Sequence, residues 1–251
     1  MRRVVVLLAA TACSSSPGKT QVDAPVAADA TDATGGDAAG DAPPSTLPAS
    51  DDFEAAALDP SWTVLDASRV SVAVSGGALR LTPAANALWY NASRGGLVFK
   101  SVTGDFIATA TVHARRASNA GMPPGQPIEL GGLMARAPGA GPENYVFIVI
   151  GNGEQGVLAV EHKSTTNSAS VYAAVPFAPD AELRLCRQGA VFTMYRRMPG
   201  AATWTLDYQV TRADLPATLQ VGPNAYTNQA SPDVTISFDQ LAFEPLTGTC
   251  S

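Results

Sequence analysis

The chain has 251 residues, 16 Lys and Arg against 22 Asp and Glu, a formal net charge of −6, and 46% hydrophobic residues. An acidic balance with no Lys/Arg cluster excludes the basic patch that nucleic-acid binding needs. No apolar run approaches the ~20 residues of a membrane-spanning helix.

The first 13 residues read as an address. Met1, Arg2 and Arg3 give a charged start, residues 4–10 an apolar stretch, and Thr11 and Ala12 small residues before Cys13. This is the layout of a signal peptide. A cysteine directly after the cut predicts a bacterial lipoprotein, with lipidated Cys13 as the mature N-terminus, attached to a membrane through that lipid. Ala10 stands three residues before the cysteine, where lipoproteins usually carry Leu or another large aliphatic, so cleavage as an ordinary secreted protein and a bare cytosolic N-terminus are the alternatives. The Arg2–Arg3 pair reads as a generic basic start, because its surroundings do not resemble a twin-arginine signal. The expected location is the cell envelope, lipid-anchored at the outer membrane or a periplasmic face, or else the secreted pool.

Residues 14–50 are dominated by Ala, Asp, Gly, Pro, Ser and Thr, and their first large aliphatic other than valine is Leu47. Such a segment cannot bury enough apolar surface to offset the entropy of ordering it. Lys19 faces Asp23, Asp29, Asp32, Asp37 and Asp41, so the segment repels itself and extends. It is expected to be a disordered tether.

Residues 51–251 are long enough for one domain with a sizeable core. Period-two alternation marks strands at residues 70–74, 106–112, 182–185 and 234–238. Turn signals stand between such runs at Gly76–Gly77, Gly95–Gly96, Pro123–Gly125, Pro138–Gly139, Gly151–Gly153 and Pro199–Gly200. Tyr145, Val146, Phe147, Ile148, Val149 and Ile150 form a run apolar on both faces, expected of a central strand covered on each side. No helical stripe of twelve residues occurs. The fold class predicted is all-β, a two-sheet antiparallel sandwich.

The order of several loose motifs carries a resemblance. Gly104-Asp105-Phe106 leads a strand, followed by Gly132-Leu133-Met134-Ala135-Arg136, Glu143-Asn144-Tyr145-Val146 and Leu183-Arg184-Leu185-Cys186-Arg187-Gln188-Gly189. Val221-Gly222 and a closing Phe238-Asp239-Gln240-Leu241-Ala242-Phe243 complete the series. In that order they resemble the concanavalin A-like lectin/glucanase superfamily, particularly its LamG-like jelly-roll domains, over nearly the whole of residues 51–245. The resemblance implies two packed antiparallel sheets of a jelly roll.

The glucanase branch of that superfamily carries its carboxylates as Glu-x-Asp-x-Glu on one strand, where residues i, i+2 and i+4 share a face. This chain has no such run. Its nearest pairs, Asp52/Glu54 and Asp180/Glu182, each lack the third acid, since Ala56 and Arg184 occupy those positions. Both pairs are expected at strand starts, where solvated acids are ordinary. The two histidines, His113 and His162, fall inside predicted strands with no metal-ligand spacing around them. No nucleophile elbow appears, and Gly151–Gly156 leads into a strand and reads as a hairpin. Calcium-binding relatives exist, but no dense Asp/Asn loop appears here. No metal or cofactor is expected.

Sugar recognition uses aromatic faces with a polar tip. Trp89, Tyr90 and Asn91 are therefore the leading ligand-binding candidates, with Arg136, Tyr145, His162 and Tyr172 as sheet-face companions, while Trp62 and Trp204 are expected in the core. Glycan is the expected partner. The function expected is a non-catalytic carbohydrate-binding module; a structural or protein-binding envelope module and a glycoside hydrolase are the alternatives. Once Cys13 is set aside, Cys186 and Cys250 remain as an even pair in an exported chain, which favours a disulfide. Two separate thiols are the other possibility.

Overall fold

The computed structural model describes residues 45–250, so Cys13 and the tether before Ser45 lie outside it. All fourteen elements among the described residues are strands. In chain order they are β1 (Thr63–Val64), β2 (Val70–Val74), β3 (Leu79–Pro83), β4 (Gly96–Thr103), β5 (Phe106–Arg115), β6 (Glu129–Arg136) and β7 (Tyr145–Asn152). The second half supplies β8 (Leu158–Thr166), β9 (Ala169–Pro176), β10 (Asp180–Gln188), β11 (Val191–Arg197), β12 (Thr205–Thr211), β13 (Thr218–Thr227) and β14 (Thr235–Glu244).

They form two seven-stranded antiparallel sheets. The front sheet runs β1-β4-β13-β6-β7-β8-β9 and the back sheet β12-β11-β10-β5-β14-β3-β2. Meanders β6 to β9 and β10 to β12 stay within one sheet, whereas the connections β4 to β5, β5 to β6, β9 to β10 and β12 to β13 cross between sheets. This is a jelly-roll sandwich.

Alternation places the core. On β5, Phe106, Ala108, Ala110, Val112 and Ala114 point inward and are buried, with half-buried residues between them. They meet Leu183 and Leu185 of β10, Ile236 and Phe238 of β14, and Val146, Ile148 and Ile150 of β7 in one inter-sheet cluster. The pairing of period two with one buried face is why the sequence reads so plainly as strands.

Strand β7 is buried along its whole length for a different reason. Its odd residues, Tyr145, Phe147 and Val149, turn to the outer face of the front sheet and enter a second cluster with Leu97, Phe99, Leu130, Met134, Tyr226 and Trp89. The segment between β3 and β4 lies over this face, and Trp89 fills the gap it leaves, its ring edge-on to Tyr145 at 5.4 Å. Gly95 makes room for that ring, since a Cβ there would stand 2.6 Å from Trp89 Cδ1. Gly95–Gly96 is accordingly not a turn: Gly96 begins β4.

Three expectations need correction. The ordered domain begins before residue 51, because Thr46 pairs with Thr103, Lys100 donates to the Ala49 carbonyl at 2.8 Å, and the Phe243 amide donates to Ser50 Oγ. Asp52 and Glu54 lie in irregular chain, not at a strand start. Trp62 is buried, but Trp204 is half-exposed, with the guanidiniums of Arg184 and Arg197 over its ring at 4.3 and 4.2 Å. Cys186 and Cys250 form a disulfide with Cα atoms 6.0 Å apart.

Candidate functional site

Strand β8 carries two chemistries, one on each face. Its even residues look toward the back sheet. His162 Nδ1 lies 2.7 Å from Asp207 Oδ2, and its ring stacks on Tyr208 at 4.1 Å, both on β12. Ser164 accepts from Arg212, which also donates to the Tyr145 carbonyl. The odd residues Glu161 and Lys163 turn to the outer face beside Phe147 and Val149.

Lys163 is a buried ammonium surrounded by rings. Its Nζ lies 5.2 Å from the centroid of Tyr90, 5.1 Å from Phe147, 5.4 Å from Tyr172 and 5.2 Å from Tyr226, and it donates to the Trp89 carbonyl at 2.9 Å. Ring quadrupoles and one carbonyl partly replace its lost water. Burial still wins, and pushes its pKa down to about 8 against the pull of Glu161 and Glu154.

Beside Lys163, a cleft of about 390 Å³ opens between the β7–β8 turn and strand β9. Glu154, Gln155, Val157, Glu161, Tyr172 and Val175 line it. Glu161 is fully buried; it accepts from the Glu154 amide and the Tyr226 hydroxyl, and burial raises its pKa above the usual carboxylate range. Tyr172 donates to Glu154 Oε2 at 2.5 Å, and that bond raises its phenol to about 12. The cleft thus offers an aromatic wall, carboxylate acceptors and apolar flanks.

The expected site residues separate into three groups. Tyr90 and Tyr172 stand at the site, 37% and 38% exposed. Trp89 and Tyr145 lie behind it, fully buried, so Trp89 is a packing residue that no ligand touches in this arrangement. Asn91 closes the covering segment onto β9, its amide donating to Ser170 Oγ and its side chain accepting from the Ser170 amide.

Arg136 and His162 stand apart. Arg136 is buried and donates to both Glu143 oxygens, to Gln220 and to the carbonyls of Ala137 and Gly139, which occupies all its N–H groups. His162 faces the other sheet. Glu154, Glu161 and Lys163 went unnoticed in the sequence, although the alternation of Glu161, His162 and Lys163 with apolar neighbours on β8 put both acid and base on one face.

The acidic pair Asp180/Glu182 lies on the outer side of the back sheet. Asp180 binds His113 at 2.6 Å and Arg115 at 2.5 Å, and Glu182 pairs with Arg197 and accepts from the Gly200 amide. Among the described residues no group of three or more His, Cys, Asp or Glu is placed to hold a metal ion.

The sequence matches no protein-family model and no curated protein. Among solved structures, a functionally unknown protein from Saccharomyces cerevisiae is similar at TM-score 0.62 and 17% identity, over 75% of this chain and 98% of that one. The xylan β-1,4-xylosidase of Bacillus halodurans C-125 is similar at TM-score 0.59 and 15% identity, over 80% of this chain and 40% of the enzyme. A protein described as Bacteroides ovatus xyloglucan PUL GH43B gives TM-score 0.58 and 18% identity, with the same coverage. The chain therefore spans about 40% of the length of those two proteins. At these identities the likeness establishes a shared β-sandwich fold.

Proposed function

We propose that the domain is a non-catalytic carbohydrate-binding module of the concanavalin A-like superfamily, displayed on the cell envelope by lipidated Cys13 and the acidic tether. The observation that carries this reading is the cleft at β8 and β9. Its Tyr172 wall suits the apolar face of a sugar ring, while Glu154 and Gln155 suit its hydroxyls. The sandwich shared with a xylan-active enzyme supports the substrate class. The non-catalytic assignment rests on how the acids are used: Glu161 is buried with both oxygens engaged, and Asp180 and Glu182 are tied in ion pairs on the other sheet.

Calorimetric titration with xylo-oligosaccharides and xyloglucan oligosaccharides tests the site. Tyr172→Ala should weaken binding roughly tenfold, as loss of an aromatic contact typically costs above 1 kcal/mol, and no reducing sugar should appear. Product release that Glu154→Gln abolishes would make the protein a hydrolase; absence of binding across a broad glycan panel would point to a protein-binding module. Display has its own check: Cys13→Ser should move the protein from the membrane to the soluble fraction, and a wild type already soluble with no added N-terminal mass would overturn it.

A further inference from the structure

The front sheet ends in an open edge that is the longest unshifted one among the described residues. At its far side the edge strand β1 has two residues; of the back-sheet edges, β2 pairs over five residues and β12 through a register shift between Met194 and Tyr195. Strand β9 instead pairs with β8 over eight residues without a shift. Its residues Ala169, Ser170, Val171, Tyr172, Ala173, Ala174, Val175 and Pro176 include no charge. Val171 is 71% exposed, the most of any large hydrophobic among the described residues. Free edges normally carry lysines, bulges or covers that prevent pairing with another chain. Among the described residues β9 carries no lysine and no bulge; the contact of Asn91 with Ser170 guards one end and Pro176 the other, leaving the stretch between them open.

The phase of the ladder fixes which groups look outward. The Phe177 amide donates to the Leu158 carbonyl. In an antiparallel pair, hydrogen-bonded positions alternate, so Val171, Ala173 and Val175 turn their backbone groups to β8, and Ser170, Tyr172 and Ala174 turn theirs to the open side. Asn91 takes the Ser170 amide. The amides of Tyr172 and Ala174 remain as outward donors, and Pro176, which has no amide, occupies the next outward position at no cost.

We propose that β9 pairs antiparallel with β9 of a second copy of this chain across a two-fold axis at Ala174. In that register the two Ala174 residues exchange both amide–carbonyl bonds, and each Tyr172 amide donates to the Pro176 carbonyl opposite. The uncharged strand meets itself without like-charge opposition. Ala173 faces Val175 of the other copy, a small residue against a larger one. The pairing leaves the Asn91 contact in place, because Ser170 lies beyond the paired stretch. It also covers apolar surface on the inner side. His162 meets Asp207 and Tyr208, so β12 lies under β8 and β9 overhangs it. On that side Val171 and Val175 are 71% and 38% exposed. Two such overhangs side by side close over one another, and the product is one continuous fourteen-stranded sheet with both clefts on the same face.

Sedimentation of the full chain as Cys13→Ser, which keeps it out of lipid, across the micromolar range tests the pairing. The expected result is a concentration-dependent species of twice the chain's mass. Val175→Lys should raise its dissociation constant by roughly tenfold or more, a 1.4 kcal/mol effect, while the far-ultraviolet spectrum stays unchanged. Hydrogen exchange supplies an independent measurement: the Tyr172 and Ala174 amides should become protected as concentration rises. A chain that stays monomeric throughout, or a dimer that Val175→Lys leaves intact with both amides still exchanging freely, overturns the proposal.

Discussion

Lys163 Nζ donates to the Trp89 carbonyl at 2.9 Å, and this bond ties strand β8 to the segment lying over the front sheet. The ammonium there is costly. With its pKa lowered to about 8 by burial, the folded protein sheds this proton while the unfolded chain, near the ordinary lysine value, still holds it. Stability therefore rises with pH from about 8 toward the unfolded value, and by pH 10 the gain is about 2–3 kcal/mol. Burial raises the pKa of Tyr226 and of Tyr145, the latter to about 12. Unfolded tyrosines ionise first above their ordinary value, so stability falls again beyond about pH 10. Urea unfolding should show this maximum, and Lys163→Met should remove the rise below it. An identical slope in both proteins would exclude Lys163 as its source.

Trp89→Ala should destabilise the domain by about 3–5 kcal/mol, the cost of truncating a large buried aromatic, because the indole sits against Tyr145 and donates from Nε1 to the Gly96 carbonyl. Denaturant unfolding measures this. A loss below 1 kcal/mol would mean the covering segment contributes little packing.

His113 bridges two strands. Its Nδ1 lies 2.6 Å from Asp180 and its Nε2 2.9 Å from Asp239. Burial opposes its charging, but the two carboxylates outweigh it and hold its pKa above 6.5. The folded state thus keeps a proton the unfolded chain releases. This contribution is complete below about pH 6.5 and is lost as pH rises through the folded value. The imidazole should titrate above the ordinary value by NMR, and His113→Phe should flatten stability across that window.

The disulfide joins β10 to the chain end, where Tyr195 also donates to the Cys250 carbonyl at 2.7 Å. Closing a loop across a sequence separation of 64 residues restricts the unfolded chain, an effect of about 4 kcal/mol on the chain-entropy model. Cys250→Ser should lower the melting temperature accordingly, and peptide maps of protein purified without reductant should recover the linked pair. Free thiols at both positions in oxidised material would contradict it.

The strands were legible because their alternation is local: β2, β5 and β10 each show one buried face within a few residues. The site was legible only in part. Whether Trp89 or Tyr90 points outward depends on how a short connection lies over β7, far away in sequence, and nothing within the connection decides it. Arg136 looked available because its partner Glu143 lies beyond a loop that folds back to meet it. Glu154 and Glu161 were missed for a related reason: one is in a turn and one on a strand, so no fixed spacing joins them until the hairpin closes.

Tyr172 separates two ways the cleft could hold a sugar. Its ring supplies a flat apolar surface, and its hydroxyl donates to Glu154 Oε2. If stacking dominates, Tyr172→Phe keeps the surface and should bind within roughly threefold of wild type, whereas Tyr172→Ala should lose roughly tenfold. The phenylalanine variant also frees Glu154 to accept from a sugar hydroxyl in place of the phenol, which offsets part of any loss. Should Tyr172→Phe weaken binding as much as Tyr172→Ala, the hydroxyl and its hold on Glu154 would be the recognition element, and the aromatic wall would serve only to shape the cleft.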